Sequence, residues 1–277
     1  MLQERLANVE RFDSLAARYD AARPTPPQAV VDFLRAYAMA GGPAGADGVP
    51  DLVVDLGCGT GLSTRAWAGR ARAVIGVEPN DEMRAKAVAE SHGLPDVSYR
   101  AGASTDTGLP DGVADIVTCS QSFHWMDPRP TLAEIARVLR PGGVFAAIDC
   151  DWPPVVDWRV DRAYLEMKRI TDETQAARPE IRAHRWPKSR HLENLRASGR
   201  FAFVREALFH GVERGDAARM VDLALSQGGV AALLRLGASE DELGLTGLRR
   251  AADEALGDRT VPFIFCYRVR VGVKAPA

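Results

Sequence analysis

The sequence predicts an α/β fold: a doubly wound sheet of mainly parallel strands with helices on both faces. Three observations predict it. Between residues 51 and 150, short and uniformly apolar runs alternate with helix-periodic segments, the pattern of strands buried on both faces. A turn with glycine at every second position follows the first of these runs and leads into a helix. The chain has 277 residues, 46% hydrophobic and 26% charged, so it is an ordinary globular composition with length enough for a sizeable core.

Taken in order, Leu2, Leu6, Val9, Phe12, Ala16 and Tyr19 fall at helical spacing over residues 2–20. Pro26 and Pro27 open a second helix with Val30, Val31, Leu34 and Tyr37 on one side, and the loop GGPAGADGVP (41–50) ends this N-terminal segment. Strand one is LVVDL (52–56), followed by the glycine turn and a helix over 62–69. AVIGVE (73–78) is strand two; Asn80 caps the next helix, which carries Met83, Ala87 and Val88 and stops at Gly93. VSYRA (97–101), ADIVTCS (114–120) and VFAAID (144–149) are strands three to five, with a helix from Asp127-Pro128 to Leu139 before the last. Residues 151–200 read as helical and polar. FAFVREALFHGV (201–212) and VPFIFCYRVRVGV (261–273) read as two long late strands, an antiparallel pair finishing the sheet.

Composition narrows the function classes. A formal charge of −2 gives no electrostatic footprint for non-specific nucleic-acid binding. Cys58, Cys119, Cys150 and Cys266 are widely spaced with no CxxC or Cys/His cluster, so buried free thiols and no zinc site are expected. No metal site is expected from clustered carboxylates either. The segment MLQERLANVERF lacks an apolar signal core and no run reaches transmembrane length, so the expected location is cytoplasmic, with no membrane partner.

The sharpest motif is Asp55-Leu56-Gly57-Cys58-Gly59-Thr60-Gly61. Its glycines let the backbone turn tightly and approach a ligand, with amides lining the start of the next helix. Glu78 stands at the end of strand two, 21 positions after Gly57, where a carboxylate accepts hydrogen bonds from ribose hydroxyls. A nicotinamide-binding turn, G-x-G-x-x-G, needs its third glycine at position 62, which is Leu62. It also has no use for a carboxylate inside the turn, whereas Asp55 suits the ammonium of an amino-acid moiety. The pattern therefore points to a ligand that is part nucleoside and part amino acid.

At these residues the chain resembles the class I S-adenosylmethionine-dependent methyltransferases, whose main cofactor signature is DLGCGTG. FDSLAARYDAARP (12–24), SQSFHWMD (120–127) and LRPGG (139–143) extend the resemblance, and FHWMD after strand four is similar to the small-molecule branch that includes trans-aconitate-type enzymes. The resemblance implies a Rossmann-like seven-stranded sheet of order 3-2-1-4-5-7-6 with the last strand antiparallel. It implies a single domain over 1–277, divided into an N-terminal helical cover (1–50), a cofactor-binding core (51–150), an inserted helical lid (151–200) and a sheet-completing part (201–277). For S-adenosylmethionine it implies that Asp55, Gly57, Cys58, Gly59 and Gly61 surround the methionyl end, Glu78 binds the ribose and Met83 packs on the adenine. Ser104 and Thr105 take the adenine-edge position, with Asp106 one step away; Ser120 and Gln121 end strand four beside the cofactor, and Tyr19 closes over it.

Methyl transfer from a sulfonium needs positioning above all, and a base only where the acceptor holds a proton. His124, at the C-terminal end of strand four, is the candidate base; it reads equally as a half-buried histidine fixing the 120–127 loop. Trp125 and Trp152 follow strands four and five and are candidate walls for the acceptor, although isolated aromatics are more often core. Asp149 and Asp151 flank Cys150 at the end of strand five; one could orient an acceptor or act as base, but their plainer reading is helix capping or solvent exposure. Ser120-Gln121-Ser122-Phe123 replaces the Asn/Asp-Pro-Pro-Tyr tetrad of the amino-methylating branch, which disfavours an amide or base nitrogen as acceptor. Residues 178–200 hold seven basic residues against Glu180 and Glu193, so the rest of the chain carries −7. A solvated face is the bland reading; the functional one is that Arg182 and Arg185 grip an acidic group on the acceptor. The expected activity is methylation of a small organic acceptor at a carboxylate or hydroxyl oxygen. The alternatives are an RNA or protein methyltransferase using the basic insert, or a non-catalytic S-adenosylmethionine binder. Oligomeric state is left open.

Overall fold

Strands form where the apolar runs place them, and their order follows from the crossovers between them. The computed structural model describes residues 23–40, 48–178 and 184–276; the helix expected over 2–20, with Tyr19, and Arg182 lie outside them. Helix α1 (Gln28–Ala40) begins just after Pro26-Pro27 and buries Val30, Val31, Leu34 and Ala38. Strands β1 (Leu52–Leu56), β2 (Ala73–Val77) and β3 (Val97–Arg100) alternate with α2 (Leu62–Arg65) and α3 (Asp81–Glu90). Then come β4 (Ala114–Ser120), a 3-10 turn (Phe123–Trp125), α4 (Pro128–Val138) and β5 (Leu139–Cys150). The remaining elements are α5 (Trp158–Ala176), a 3-10 turn (Lys188–Arg190), α6 (His191–Ala197), β6 (Phe203–Gly215), α7 (Ala217–Leu225), α8 (Gly228–Arg235), α9 (Leu245–Leu256) and β7 (Val261–Val273).

The seven strands form one sheet of order β3-β2-β1-β4-β5-β7-β6. β1 to β5 pair in parallel, and β7 runs antiparallel to β5 from Val144↔Val273 to Cys150↔Tyr267. The order and the reversed last strand are those the resemblance implied. Residues Asp127 and Asn80 cap α4 and α3 through the Arg129 and Met83 amides, as their positions before apolar runs predict. Several boundaries differ: α2 ends at Arg65 rather than 69, and β6 runs over Phe203–Gly215 rather than 201–212. β5 starts at Leu139 rather than 144, because Leu139 pairs with Ala114 and Val144 with Ile116, so the Arg-Pro-Gly-Gly segment loops out of the ladder as a register shift.

The described chain divides into two compact units. The first comprises residues 25–40, 48–150, 184–209 and 267–276, and holds the parallel strands with α1 to α4 and α6. Its core is built on Val54, Leu56, Val117, Phe123, Leu132, Ile135 and Phe145, all at most 2% exposed. The second comprises 23–24, 151–178 and 210–266. There α5, α7, α8 and α9 pack through Tyr164, Met167, Leu233, Leu245 and Leu248. The expected insert is thus shared: residues 151–178 belong to the second unit and 184–200 to the first.

Candidate functional site

The glycine turn is held by the strands it joins. Gly57 and Cys58 donate their amides to the Val77 carbonyl at 2.8 and 3.2 Å, so the turn is folded back on the end of β2. Two glycines are obligatory for separate reasons. Gly57 (φ +69°) lies so close to the loop after β4 that a Cβ would meet Met126 Cε at 2.6 Å, and a Cβ on Gly61 (φ +79°) would overlap Tyr99 Oη. Ser122 fastens the two loops together by donating to the Leu56 carbonyl at 2.8 Å.

Two carboxylates organise this turn. Glu78, almost buried, accepts the Gly59 amide on Oε2 at 2.9 Å and the Asn80 amide on Oε1 at 3.0 Å. Burial pushes its proton affinity up, and those two amides and Arg84 oppose the shift. Asp55 is fully buried. Its Oδ2 accepts Ser63 at 2.6 Å and Thr64 at 2.8 Å, and its Oδ1 accepts Thr118 at 2.8 Å from the β4 residue paired with it. Burial raises the Asp55 carboxyl above its usual range against the three hydroxyls. With three hydroxyls on its two oxygens and no exposed surface, Asp55 fixes the shape of the turn.

Met83 is buried on α3, beneath the Asn80 cap. Ser104 sits in the loop after β3 and accepts the Thr131 hydroxyl of α4 at 3.1 Å, and Thr107 ties the same loop to Glu134 through its amide (2.8 Å) and hydroxyl (2.6 Å). Thr105 is half-buried in that loop, and Asp106 is exposed, taking the Gly108 amide. Cys58 is buried, and burial first, then the Asp55 and Glu78 charges, pushes its thiol well up, so it is an inert packing group.

At the end of β4, Ser120 is half-buried and Gln121 adopts φ +54°, alone among the described non-glycine residues in having positive φ. Its amide donates to Ile148 at 2.8 Å, which turns the chain back across the end of β5. His124 follows, buried, with its ring 4.8 Å from that of Trp125, and its carbonyl accepts the Trp186 amide at 2.8 Å. Arg185 lies over the Trp125 ring at 4.9 Å, and both are in the first unit. Trp152 belongs to the second unit, where Phe265 meets its ring edge-on and Arg23 lies over it at 4.9 Å.

Asp149 corrects its sequence reading as a cap or an exposed acid. It is 3% exposed at the end of β5 and gathers four basic groups: Lys188 Nζ at 3.0 Å and His124 Nδ1 at 4.0 Å from Oδ1, His191 Nδ1 at 3.0 Å and Arg270 Nη1 at 2.6 Å from Oδ2. Arg270 in turn donates from Nε to Glu206 at 2.8 Å. Burial alone would raise the Asp149 carboxyl; the His191 hydrogen bond and the Lys188 charge outweigh it and hold the group ionised. Burial and Lys188 drive His124 the other way, well below the usual histidine range, so its ring is neutral. Lys188, His191 and Arg270 were not singled out from the sequence as partners of this acid. The one available signal was a carboxylate inside the apolar run VFAAIDC, since a buried charge must be paired.

Residues 54–147 match the family described as methyltransferase domain. Over 132 residues the chain is 36% identical to an uncharacterized methyltransferase of Mycobacterium tuberculosis, covering 48% of this chain and 49% of that protein. The chain thus spans about half the length of the curated relatives it matches. Among solved structures, a protein assigned as a type II methyltransferase from Anaeromyxobacter dehalogenans superposes with TM-score 0.68 at 26% identity, over 92% of this chain and 99% of that one. Residues 54–147 are thus similar to a methyltransferase domain. A geranyl diphosphate methyltransferase in complex with S-adenosylmethionine shares the fold, with TM-score 0.50 at 17% identity over 90% and 85% of the two chains. Neither metal-binding clusters nor helices long and apolar enough to cross a membrane occur among the described residues.

Proposed function

We propose that the protein transfers the methyl group of S-adenosylmethionine to an oxygen, carboxylate or hydroxyl, of a small organic acceptor. The observation that carries the cofactor part is the turn after β1. Its backbone is bent by three positive-φ glycines, a Cβ on Gly59 would meet none of the described residues, and Glu78 stands across from it. Such a turn presents bare backbone to a ligand, beside a carboxylate suited to vicinal hydroxyls.

When bound, S-adenosylmethionine supplies a methyl group made electrophilic by a sulfonium, so the protein has to position the acceptor and exclude water. In this reading Gly57, Gly59 and Gly61 receive the methionyl end, with Asp55 holding the turn in shape. Glu78 takes the ribose, Met83 supports the adenine, and Ser104 and Thr105 border its edge. Ser120 and Gln121 close the side facing β4. Trp125 and Arg185 border the acceptor, Arg185 offering a cation to an acidic group. For a hydroxyl acceptor His124 is the base. Its Nδ1 is buried beside Asp149, which leaves Nε2 to take the proton, and a neutral ring is the form able to take it.

Incubation with methyl-labelled S-adenosylmethionine and a host metabolite extract, followed by mass identification of labelled products, tests this reading. A labelled ester or methyl ether that forms with wild type and not with boiled protein supports it. Label only in RNA or protein, or in no product at all, refutes the small-molecule assignment.

A further inference from the structure

We propose that Lys188 is a positioning residue for His124: through the Asp149 carboxylate they share, it sets the proton affinity of the imidazole and couples it to Gln121 in the loop after β4. This rests on the reading of His124 as the base. The observations are geometric. One carboxylate oxygen, Asp149 Oδ1, faces both groups, with the Lys188 ammonium at 3.0 Å and His124 Nδ1 at 4.0 Å. Among the described residues, His124 Nδ1 is buried without a hydrogen-bond partner, and the Asp149 oxygen facing it is engaged by another cation. Lys188 also donates to Gln121 Oε1 at 2.7 Å, and Gln121 is held in its positive-φ turn by the Ile148 carbonyl. The ammonium therefore spans the base cluster and the loop proposed to border the cofactor.

The other oxygen of Asp149 cannot serve His124. Oδ2 is taken by His191 Nδ1 at 3.0 Å and by Arg270 Nη1 at 2.6 Å, and Arg270 is itself fixed by Glu206. His191 is fully buried with its ring edge-on to Phe123 at 4.8 Å, so it cannot swing away. Of the partners of Asp149, Lys188 is the one whose side chain reaches solvent, at 30% exposed. The groups facing His124 are Asp149 from β5, Lys188 and Arg185 from the segment before α6, and His191 at the start of α6. Three of these four are cations or bases that disfavour a protonated ring, and Asp149 alone favours it. Removing the Lys188 charge acts twice in one direction: a cation leaves, and Asp149 Oδ1 is freed to accept Nδ1–H. An anion about 4–6 Å away raises a histidine pKa by roughly one unit or more.

The test is histidine NMR on 15N-labelled protein, with the His124 signal assigned by loss in His124→Gln, for wild type, Lys188→Met and Lys188→Arg. Lys188 is partly exposed, and Arg can still span Asp149 and Gln121, so the pair separates loss of charge from loss of fold. In wild type the His124 ring is expected to stay neutral well below the ordinary histidine range, because burial and Lys188 disfavour its protonated form. The inference requires a midpoint raised by about one unit or more in Lys188→Met and restored in Lys188→Arg. A Lys188→Met ring that titrates as in wild type overturns it, and so does a Lys188→Arg ring that shifts as far as Lys188→Met. This readout needs no methyl transfer. Wild-type turnover by His124→Gln would instead refute the base assignment and leave the coupling standing.

Discussion

Replacing Glu78 by Gln separates the two tasks that fall on this carboxylate. In the protein each of its oxygens accepts one backbone amide, Gly59 at 2.9 Å and Asn80 at 3.0 Å. A carboxamide has a single acceptor oxygen, so one of the two amides must face an NH2 instead. A buried N–H left without an acceptor costs about 1–3 kcal/mol. Part of this is offset, because burial already disfavours the ionised form of Glu78 and the amide removes that charge. The expected net loss is therefore about 1–2 kcal/mol, or roughly 2–8 °C in Tm for a chain of this size. Cofactor affinity should fall further than stability does. Charge-assisted hydrogen bonds to ribose hydroxyls contribute about 1.5–3 kcal/mol, so Kd for S-adenosylhomocysteine should rise about 10–100-fold. Calorimetric titration and differential scanning calorimetry on the same preparations read both quantities. A Glu78→Gln protein with Kd within about twofold of wild type and an unchanged Tm would refute the reasoning.

Gly61→Ala should cost about 1–2 kcal/mol for the left-handed backbone and ~1–3 kcal/mol for the overlap with Tyr99, read by urea denaturation. Tyr99→Ala in the same chain should recover the second part and not the first; full recovery would show that backbone strain is absent. Glu134, held at a pKa of about 2 chiefly by the Arg137 hydrogen bond, with Thr107 adding to it, binds its proton less readily folded than at its ordinary 4.5. Its contribution is complete above that ordinary value and is lost as pH falls through this window toward 2. Glu134→Gln should therefore flatten the acid-denaturation curve there, and a curve parallel to wild type would contradict the assignment. Arg185→Ala should raise the acceptor KM about threefold to thirtyfold with kcat and cofactor affinity unchanged, the loss of one cation beside Trp125; an unchanged KM removes Arg185 from the acceptor site.

What the sequence made legible was whatever local pattern encodes. β1, β4 and β7 run over the residues expected, because each is a continuous apolar or alternating run with a turn signal at its end. The glycine turn, Glu78 across from it and the Asn80 cap were equally visible, since spacing alone specifies them. The start of β5 was missed because a loop-out in register depends on the neighbouring strand and not on the Arg-Pro-Gly-Gly segment itself. The larger omission is the cluster on Asp149. Its partners Lys188, His191 and Arg270 lie 39 to 121 positions further along the chain, and the segment carrying Lys188 and His191 reads as a solvated basic stretch until tertiary packing turns those two side chains inward. Asp55 shows the complementary case: its position in the motif was plain, but its engagement by Ser63, Thr64 and Thr118 follows from burial.

Isothermal titration of the protein with S-adenosylmethionine, S-adenosylhomocysteine and NAD is the most direct measurement of what the turn after β1 binds. Saturable binding of both sulfur nucleosides with no heat from NAD is the expected result. Saturable NAD binding with none from S-adenosylmethionine would contradict the assignment of the site.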